Sequence, residues 1–242
     1  MRVLMIVPAY NERDNIVETV SKICACKNIA AGVEIDYIVI NDGSTDDTQK
    51  ICDSKNIKCI QLMQNLGIGG AVQTGYMYAK MNDYDIAVQF DGDGQHDISS
   101  LKPLLAPIIQ GESDFVVGSR FVDGNSQFQS TRMRRVGISW LSKTIKLFTG
   151  ITIKDPTSGY RACNKKCIQF FASNYPVDYP EPEAIVMLAK QKIRMKEVQV
   201  NMFEREGGQS SINMWRSVYY MFKVTIAIVC TAFQKTALYE EV

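Results

Sequence analysis

A chain of 242 residues with net charge +1 and 22% charged residues is long enough for one α/β domain, and its charge is too balanced to attract nucleic acid through a bulk field. Its single histidine, His96, excludes zinc sites built on several histidines and argues against a histidine-based triad. Its seven cysteines are scattered without CxxC pairs, which fits a reduced, cytosolic thiol population better than a disulfide framework.

The run from Val3 to Val7 is too short for a signal peptide and lacks a small-residue cleavage site. It reads as a first buried strand, stopped by Pro8. Ile16, Val20 and Ile23 then form a helical stripe over Asn15 to Cys24. Ile35 to Ile40 is a second strand, ending in Asn41-Asp42-Gly43-Ser44-Thr45-Asp46-Asp47, where Ser44 or Thr45 is placed to cap a helix. Ile57 to Leu62 is a third strand. Gly67, Gly69 and Gly70 open a helix through Met81. That loop lacks both GxGxxG spacing and a P-loop lysine, so it reads as a tight turn and not as a phosphate cradle. A strand over Ile86 to Phe90, a helix near Leu101 to Ile109 and a strand over Phe115 to Val117 follow. This alternation predicts an α/β fold with a mostly parallel sheet covered by helices on both faces. Asp123 to Thr131 is a polar loop, and Arg132, Arg134 and Arg135 lead into an amphipathic segment through Phe148.

The chemistry concentrates where strands end. Asp91-Gly92-Asp93-Gly94-Gln95-His96 follows an apolar strand, so its carboxylates emerge at the sheet edge where ligands gather. Asp91, Asp93 and the amide oxygen of Gln95 suit a hard divalent cation that keeps open positions for phosphate oxygens. Taken alone, the same residues also make a solvated Asp-Gly turn. Pro8-Ala9-Tyr10-Asn11-Glu12 and Asp42-Gly43-Ser44 sit after two other strands. An aromatic ring there can stack on a nucleobase, and carboxylates can accept from base or ribose groups. Three carboxylate-bearing strand ends in one region favour a nucleotide–metal site over three unrelated turns. Further on, Glu204-Arg205-Glu206-Gly207-Gly208-Gln209-Ser210-Ser211 sets an arginine in a glycine- and serine-rich loop, as either a phosphate grip or a solvated turn.

Taken in order, Pro8-Ala-Tyr-Asn-Glu12, Asp42-Gly-Ser44, Asp91-Gly-Asp-Gly-Gln95, Gly118-Ser-Arg120, Asp155-Pro-Thr-Ser-Gly-Tyr-Arg161 and Arg205-x-x-Gly-x-Ser210 resemble the family 2 glycosyltransferases of GT-A fold. The branch they resemble is that of dolichyl-phosphate mannose synthase and the bacterial polyprenyl-phosphate sugar transferases. The resemblance spans about residues 3 to 211. It implies that Pro8, Tyr10, Glu12, Asp42 and Asp91 bind a nucleotide-sugar donor linked through UDP or GDP. It implies Mg²⁺ or Mn²⁺ at Asp91, Asp93 and Gln95, with Asp93, Arg120, Arg135 and Arg205 serving catalysis. Arg134 competes with Arg135 for its role. The implied acceptor is polyprenyl (undecaprenyl) phosphate, with the sugar inverted on transfer for cell-envelope glycan synthesis. Homo-oligomerisation and a small membrane-protein partner belong to the same expectation, and nucleic acid does not. Two alternatives are transfer to a glycan hydroxyl and a non-catalytic sugar-nucleotide-binding subunit.

The chain departs from processive members of the family, since Trp215-Arg216 is not part of a QxxRW motif. The expected division is a GT-A domain over 1–211 and a C-terminal helix and tail over 212–242. Val218 to Phe233 is apolar apart from Lys223 and two threonines. Its uninterrupted part falls short of the ~20 residues a spanning helix needs. With Arg216 and Lys223 on one face, it reads either as a helix in the cytoplasmic membrane interface or as one packed on protein. Met133 to Phe148 is a second interfacial candidate.

Overall fold

A computed structural model describes residues 1–26, 32–122, 132–202 and 214–234. Among these, seven strands form one sheet in the order β3-β2-β1-β4-β6-β5-β7. The strands are Arg2–Ala9 (β1), Glu34–Asn41 (β2), Cys59–Gln61 (β3), Ile86–Gln89 (β4), Phe115–Ser119 (β5), Arg161–Asn164 (β6) and Met195–Gln199 (β7). All pair in parallel except β6, which runs antiparallel between β4 and β5. The sheet is therefore mostly parallel, as the alternation of elements predicts. Strand β1 continues through Pro8 to Ala9, because a proline near a strand's end gives up only one ladder donor.

The helices are Ile16–Ala25 (α1), Thr48–Ser54 (α2), Gly67–Met81 (α3), Leu101–Ile109 (α4), Arg132–Thr149 (α5), Lys165–Ser173 (α6), Pro180–Lys190 (α7) and Met214–Phe233 (α8). They lie on both faces of the sheet because β1 alternates its apolar side chains. Leu4 and Ile6 pack with Ala71, Val72 and Tyr76 of α3 and Phe171 of α6. Val3, Met5 and Val7 pack with Ile16, Val20 and Ile23 of α1 and Leu104 of α4. A third cluster joins Leu141 and Ile145 of α5, Ile185 and Val186 of α7, and Val224 and Ile228 of α8.

One local expectation is corrected. Ser44 and Thr45 do not cap α2, which begins at Thr48; the Asp46 carboxylate receives the Thr48 N–H at 2.9 Å instead. Glu181 and Glu183 stand in the first turn of α7, behind Pro180 at a position with no N–H to satisfy.

Candidate active site

Strands β1 and β4 are neighbours whose connections leave in opposite directions, so a crevice opens at their carboxyl ends. A cavity of about 300 Å³ lies there, lined by Pro8, Ala9, Tyr10 and Glu12 after β1, Asp42 after β2, Asn65, Gly67, Ile68 and Ala71 at the start of α3, and Asp91, Gly92 and Asp93 after β4. The sequence motifs after three separate strands thus meet in one place. Gly67 adopts a φ of +78°, which only glycine holds without strain, and this turn brings the start of α3 to the cavity wall. The Gly67-x-Gly-Gly segment is the first turn of α3 itself, and the connection from β3 is made by residues 62–66. Its place in the wall was not expected from its motif.

The walls are pre-organised by hydrogen bonds. Asp42 is almost fully buried, and its Oδ1 accepts the Leu66 N–H at 2.7 Å, tying β2 to α3. Glu12 Oε2 accepts from Asn15 Nδ2 at 2.8 Å, and the Glu12 N–H donates to Thr48 Oγ1 at 3.0 Å. The N–H of Asp91 donates to Nδ1 of His96 at 3.1 Å. His96 is buried and stacks on Tyr160 with ring centroids 4.7 Å apart, edge-on to Phe90. Burial lowers its pKa to about 4 against the pull of the Asp93 charge, so the ring is neutral near pH 7. The histidine is a support for the Asp91 loop.

Glu12, Asp42, Asp91 and Asp93 all line the cavity, and no lysine or arginine is among its described lining residues. Asp93 Oδ1 accepts the Gln95 N–H at 3.1 Å, which draws the turn tight, with Gln95 half-buried on it. Among the described residues no group of three or more His, Cys, Asp or Glu side chains could hold a metal by itself. Asp91 and Asp93 line the cavity and Gln95 is not among its lining residues; two carboxylates there nevertheless suit a cation whose remaining positions are filled by phosphate oxygens.

The basic residues are distributed differently from the carboxylates. Arg120 is buried and forms a two-pronged pair with Asp155, Nε to Oδ2 and Nη2 to Oδ1 both at 2.7 Å, with Nη2 also 3.0 Å from Thr157 Oγ1. Arg134 and Arg135 are both exposed at the start of α5. Arg134 is the one whose charge couples to Arg120 and Asp155, and its pKa is lowered by desolvation and by Arg120. Arg205 lies outside the described residues. Arg161, quoted in a motif without a role, is buried and donates to the carbonyls of Ser158, Pro156 and Glu181 at 2.6, 2.9 and 2.7 Å. It thereby fixes the 155–160 segment against the first turn of α7.

Sequence reasoning missed Glu181. Burial raises its carboxyl pKa, the Arg161 guanidinium opposes the rise, and the Asp91 charge adds to it. Glu183, two residues on, faces away, with Oε2 accepting from Thr231 on α8 at 2.9 Å. Only the helical phase of α7 separates these two glutamates, and a Glu-Pro-Glu run carries no sign of which one turns inward.

The sheet, its helical cover and the strand-end crevice are those of a GT-A fold. Residues 5–170 match the family model of Glycosyl transferase family 2, and the chain belongs to that family. It is 30% identical over 223 residues to the UDP-N-acetylglucosamine–dolichyl-phosphate N-acetylglucosaminyltransferase of Methanococcus voltae, covering 84% of this chain and 86% of that one. It is 28% identical to the undecaprenyl-phosphate mannosyltransferase of Micrococcus luteus, over 88% of each chain. Among solved structures, it resembles glucosyl-3-phosphoglycerate synthase from Mycobacterium tuberculosis in complex with Mn²⁺ and UDP-glucose, with a TM-score of 0.67 and 17% identity, covering 96% of this chain and 78% of that one. The enzyme class follows from the family, and the likeness in shape from the fold.

Proposed function

We propose that this enzyme transfers a hexose from a nucleotide sugar to a polyprenyl phosphate, with inversion, at the cytoplasmic face of a membrane. The observation that carries the donor half is the acidic cavity. A nucleoside diphosphate cannot approach Glu12, Asp42, Asp91 and Asp93 without a cation between them. Mg²⁺ or Mn²⁺ held by Asp91, Asp93 and Gln95 would stabilise negative charge on the departing diphosphate. The related fold solved with Mn²⁺ and UDP-glucose supports a divalent cation. Tyr10, 46% exposed at the rim, offers a ring for the nucleobase. Asp42 spends one oxygen on Leu66 and turns the other to the base, while Glu12 and the Pro8 backbone shape the ribose end.

The acceptor half rests on relatives named for dolichyl and undecaprenyl phosphates. A phosphate monoester has a second pKa of about 6, so it arrives already ionised and needs no protein base. The residues have then to align that oxyanion behind the anomeric carbon and offset its repulsion from the donor. Arg134 beside the Arg120–Asp155 pair serves this, with Arg135 next to it and Arg205 as a further grip. Helix α8 supports a peripheral membrane position. Val224 and Ile228 are buried in the domain, while Tyr219, Phe222, Ile226 and Phe233 form an exposed stripe beside Lys223. Trp140 and Leu147 of α5 are exposed too, and Trp140 donates to Thr225 of α8 at 3.1 Å. No described helix is long and apolar enough to cross a membrane.

The test is a screen of radiolabelled UDP- and GDP-sugars with undecaprenyl phosphate and Mg²⁺ or Mn²⁺, followed by organic extraction. Label in the organic phase is the expected result. A second reading, transfer to a glycan hydroxyl, is favoured by Glu181, a carboxylate beside Asp91 with the raised pKa a base needs. Label in a glycan only, abolished by Glu181→Gln, establishes that reading instead.

A further inference from the structure

The residues that would hold the cation do not hold themselves. Asp91 ends a strand whose last residue, Gln89, is polar in an otherwise apolar run and only 1% exposed. A buried primary amide is costly unless its nitrogen and its oxygen both find partners. Here both do. Nε2 donates to Asp91 Oδ1 at 3.3 Å, and Oε1 accepts from the Tyr175 hydroxyl at 3.4 Å. Tyr175 is itself buried, edge-on to Phe171 and tilted against Tyr76. A flipped Gln89 would set its oxygen against the Asp91 carboxylate, and in the orientation present the Tyr175 hydroxyl donates to that oxygen.

The backbone opposite is cut away to make room. A Cβ on Gly159 would stand 2.7 Å from Asp91 Oδ2 and 3.1 Å from Gln89 Nε2, so the 155–160 segment approaches the carboxylate as closely as a glycine allows. That segment is in turn fixed by Arg161 through the carbonyls of Pro156 and Ser158. Asp91 is thus held by Gln89 and closely approached by a glycine backbone.

We propose that Gln89, oriented by Tyr175, is the positioning residue of the cation site, a neutral donor that sets the Asp91 carboxylate. A neutral amide fixes that carboxylate without a fixed charge being added to the site. Outer groups that orient a metal-binding carboxylate typically contribute 10–100-fold to metal affinity. The inference rests on the cation reading above and assigns a role to residues outside it.

The test uses the full chain with Mn²⁺ alone and Mn²⁺ with UDP, the free ion followed by electron paramagnetic resonance, beside thermal unfolding and the Mn²⁺ dependence of transfer. Gln89→Met keeps the volume and removes the donors. It should weaken Mn²⁺ binding about 10–100-fold and raise the Mn²⁺ requirement for transfer, while the KM for nucleotide sugar at saturating Mn²⁺ stays within twofold. Tyr175→Phe keeps the packing and removes only the orienting hydroxyl. It should weaken Mn²⁺ binding by roughly three- to tenfold, the value of one hydrogen bond, and it decides the matter if Gln89→Met does not fold. Mn²⁺ affinity within twofold of wild type in Tyr175→Phe, or in a folded Gln89→Met, overturns the positioning role and leaves the cation reading standing. A wild-type chain that binds no Mn²⁺ with UDP overturns both.

Discussion

Asp93 sits on the cavity wall with one oxygen already receiving the Gln95 N–H, so replacing it by asparagine removes charge without emptying the turn. Asp93→Asn should lower turnover on the order of 100-fold or more, the scale of transition-state charge stabilisation by a bound cation, with the melting temperature unchanged. Steady-state assays with a metal titration check this. Arg120 and Asp155 behave in the opposite way. Their side chains are 5% and 0% exposed, and removing either leaves a buried charge without its partner. Arg120→Ala or Asp155→Asn should therefore cost about 3–5 kcal/mol of stability, read from denaturant midpoints, before any effect on phosphate binding is measured. His96 gives a pH signature. Its pKa falls from 6.5 to about 4 on folding. Below pH 6.5 the unfolded chain takes up a proton that the folded chain refuses until about pH 4. The contribution is full above 6.5 and is lost on descent at about 1.4 kcal/mol per pH unit. Glu181, Glu183 and Glu197 are raised by burial and work in the other direction. Comparing wild type with His96→Gln in EDTA isolates the histidine, and the acid-side loss should be shallower in the variant.

At the scale of elements, α3 carries the approach between sheet and cavity. A Cβ on Gly75 would overlap the Ile6 side chain, and one on Gly69 would overlap the Pro176 carbonyl oxygen. Gly75→Ala should therefore destabilise by roughly 1–3 kcal/mol, the usual cost of overpacking, against the general gain of alanine over glycine inside a helix. Thermal unfolding reads the sign. The elements themselves were largely legible: α4 spans Leu101–Ile109 and α3 ends at Met81, both as the apolar spacing predicts. The start of α2 was not legible, because Ser44, Thr45, Asp46 and Asp47 are all capping types and only the surrounding fold selects among them. Nor was the inward turn of Glu181, which depends on how α7 is rotated against β4 and β6.

For the molecule as a whole, α8 has two apolar faces with two different partners. Ending the chain at residue 213 would strip Val224 and Ile228 from Leu141, Ile145 and Ile185. At about 1.5–3 kcal/mol for each buried side chain, the loss is several kcal/mol, or on the order of 10 °C in melting temperature. Phe222→Ser with Ile226→Ser changes only the exposed stripe. That variant should keep its melting temperature and lose binding to anionic vesicles at least 10-fold, the transfer value of one such side chain being about 1.5–3 kcal/mol. Sedimentation with vesicles at low and high salt checks it, since contributions from Lys223 and the α5 lysines are screened by salt. Unchanged vesicle binding in the double variant removes α8 from the membrane contact.

The sequence by itself determined the α/β class, the order of most elements and the carboxylates of the cavity. Strand and helix periodicities are local, and each motif follows its own strand, so parallel pairing brings the ends of β1, β2 and β4 to one edge whatever the details of packing. The tertiary structure decided the pairing of Arg120 with Asp155 across 35 positions of chain, the coupling of Arg134 to that pair, the inward turn of Glu181 and the contact of Gln89 with Asp91 and Tyr175. Such contacts depend on side-chain direction at the meeting of elements remote in sequence. Residue type and spacing along the chain do not specify that direction; packing does.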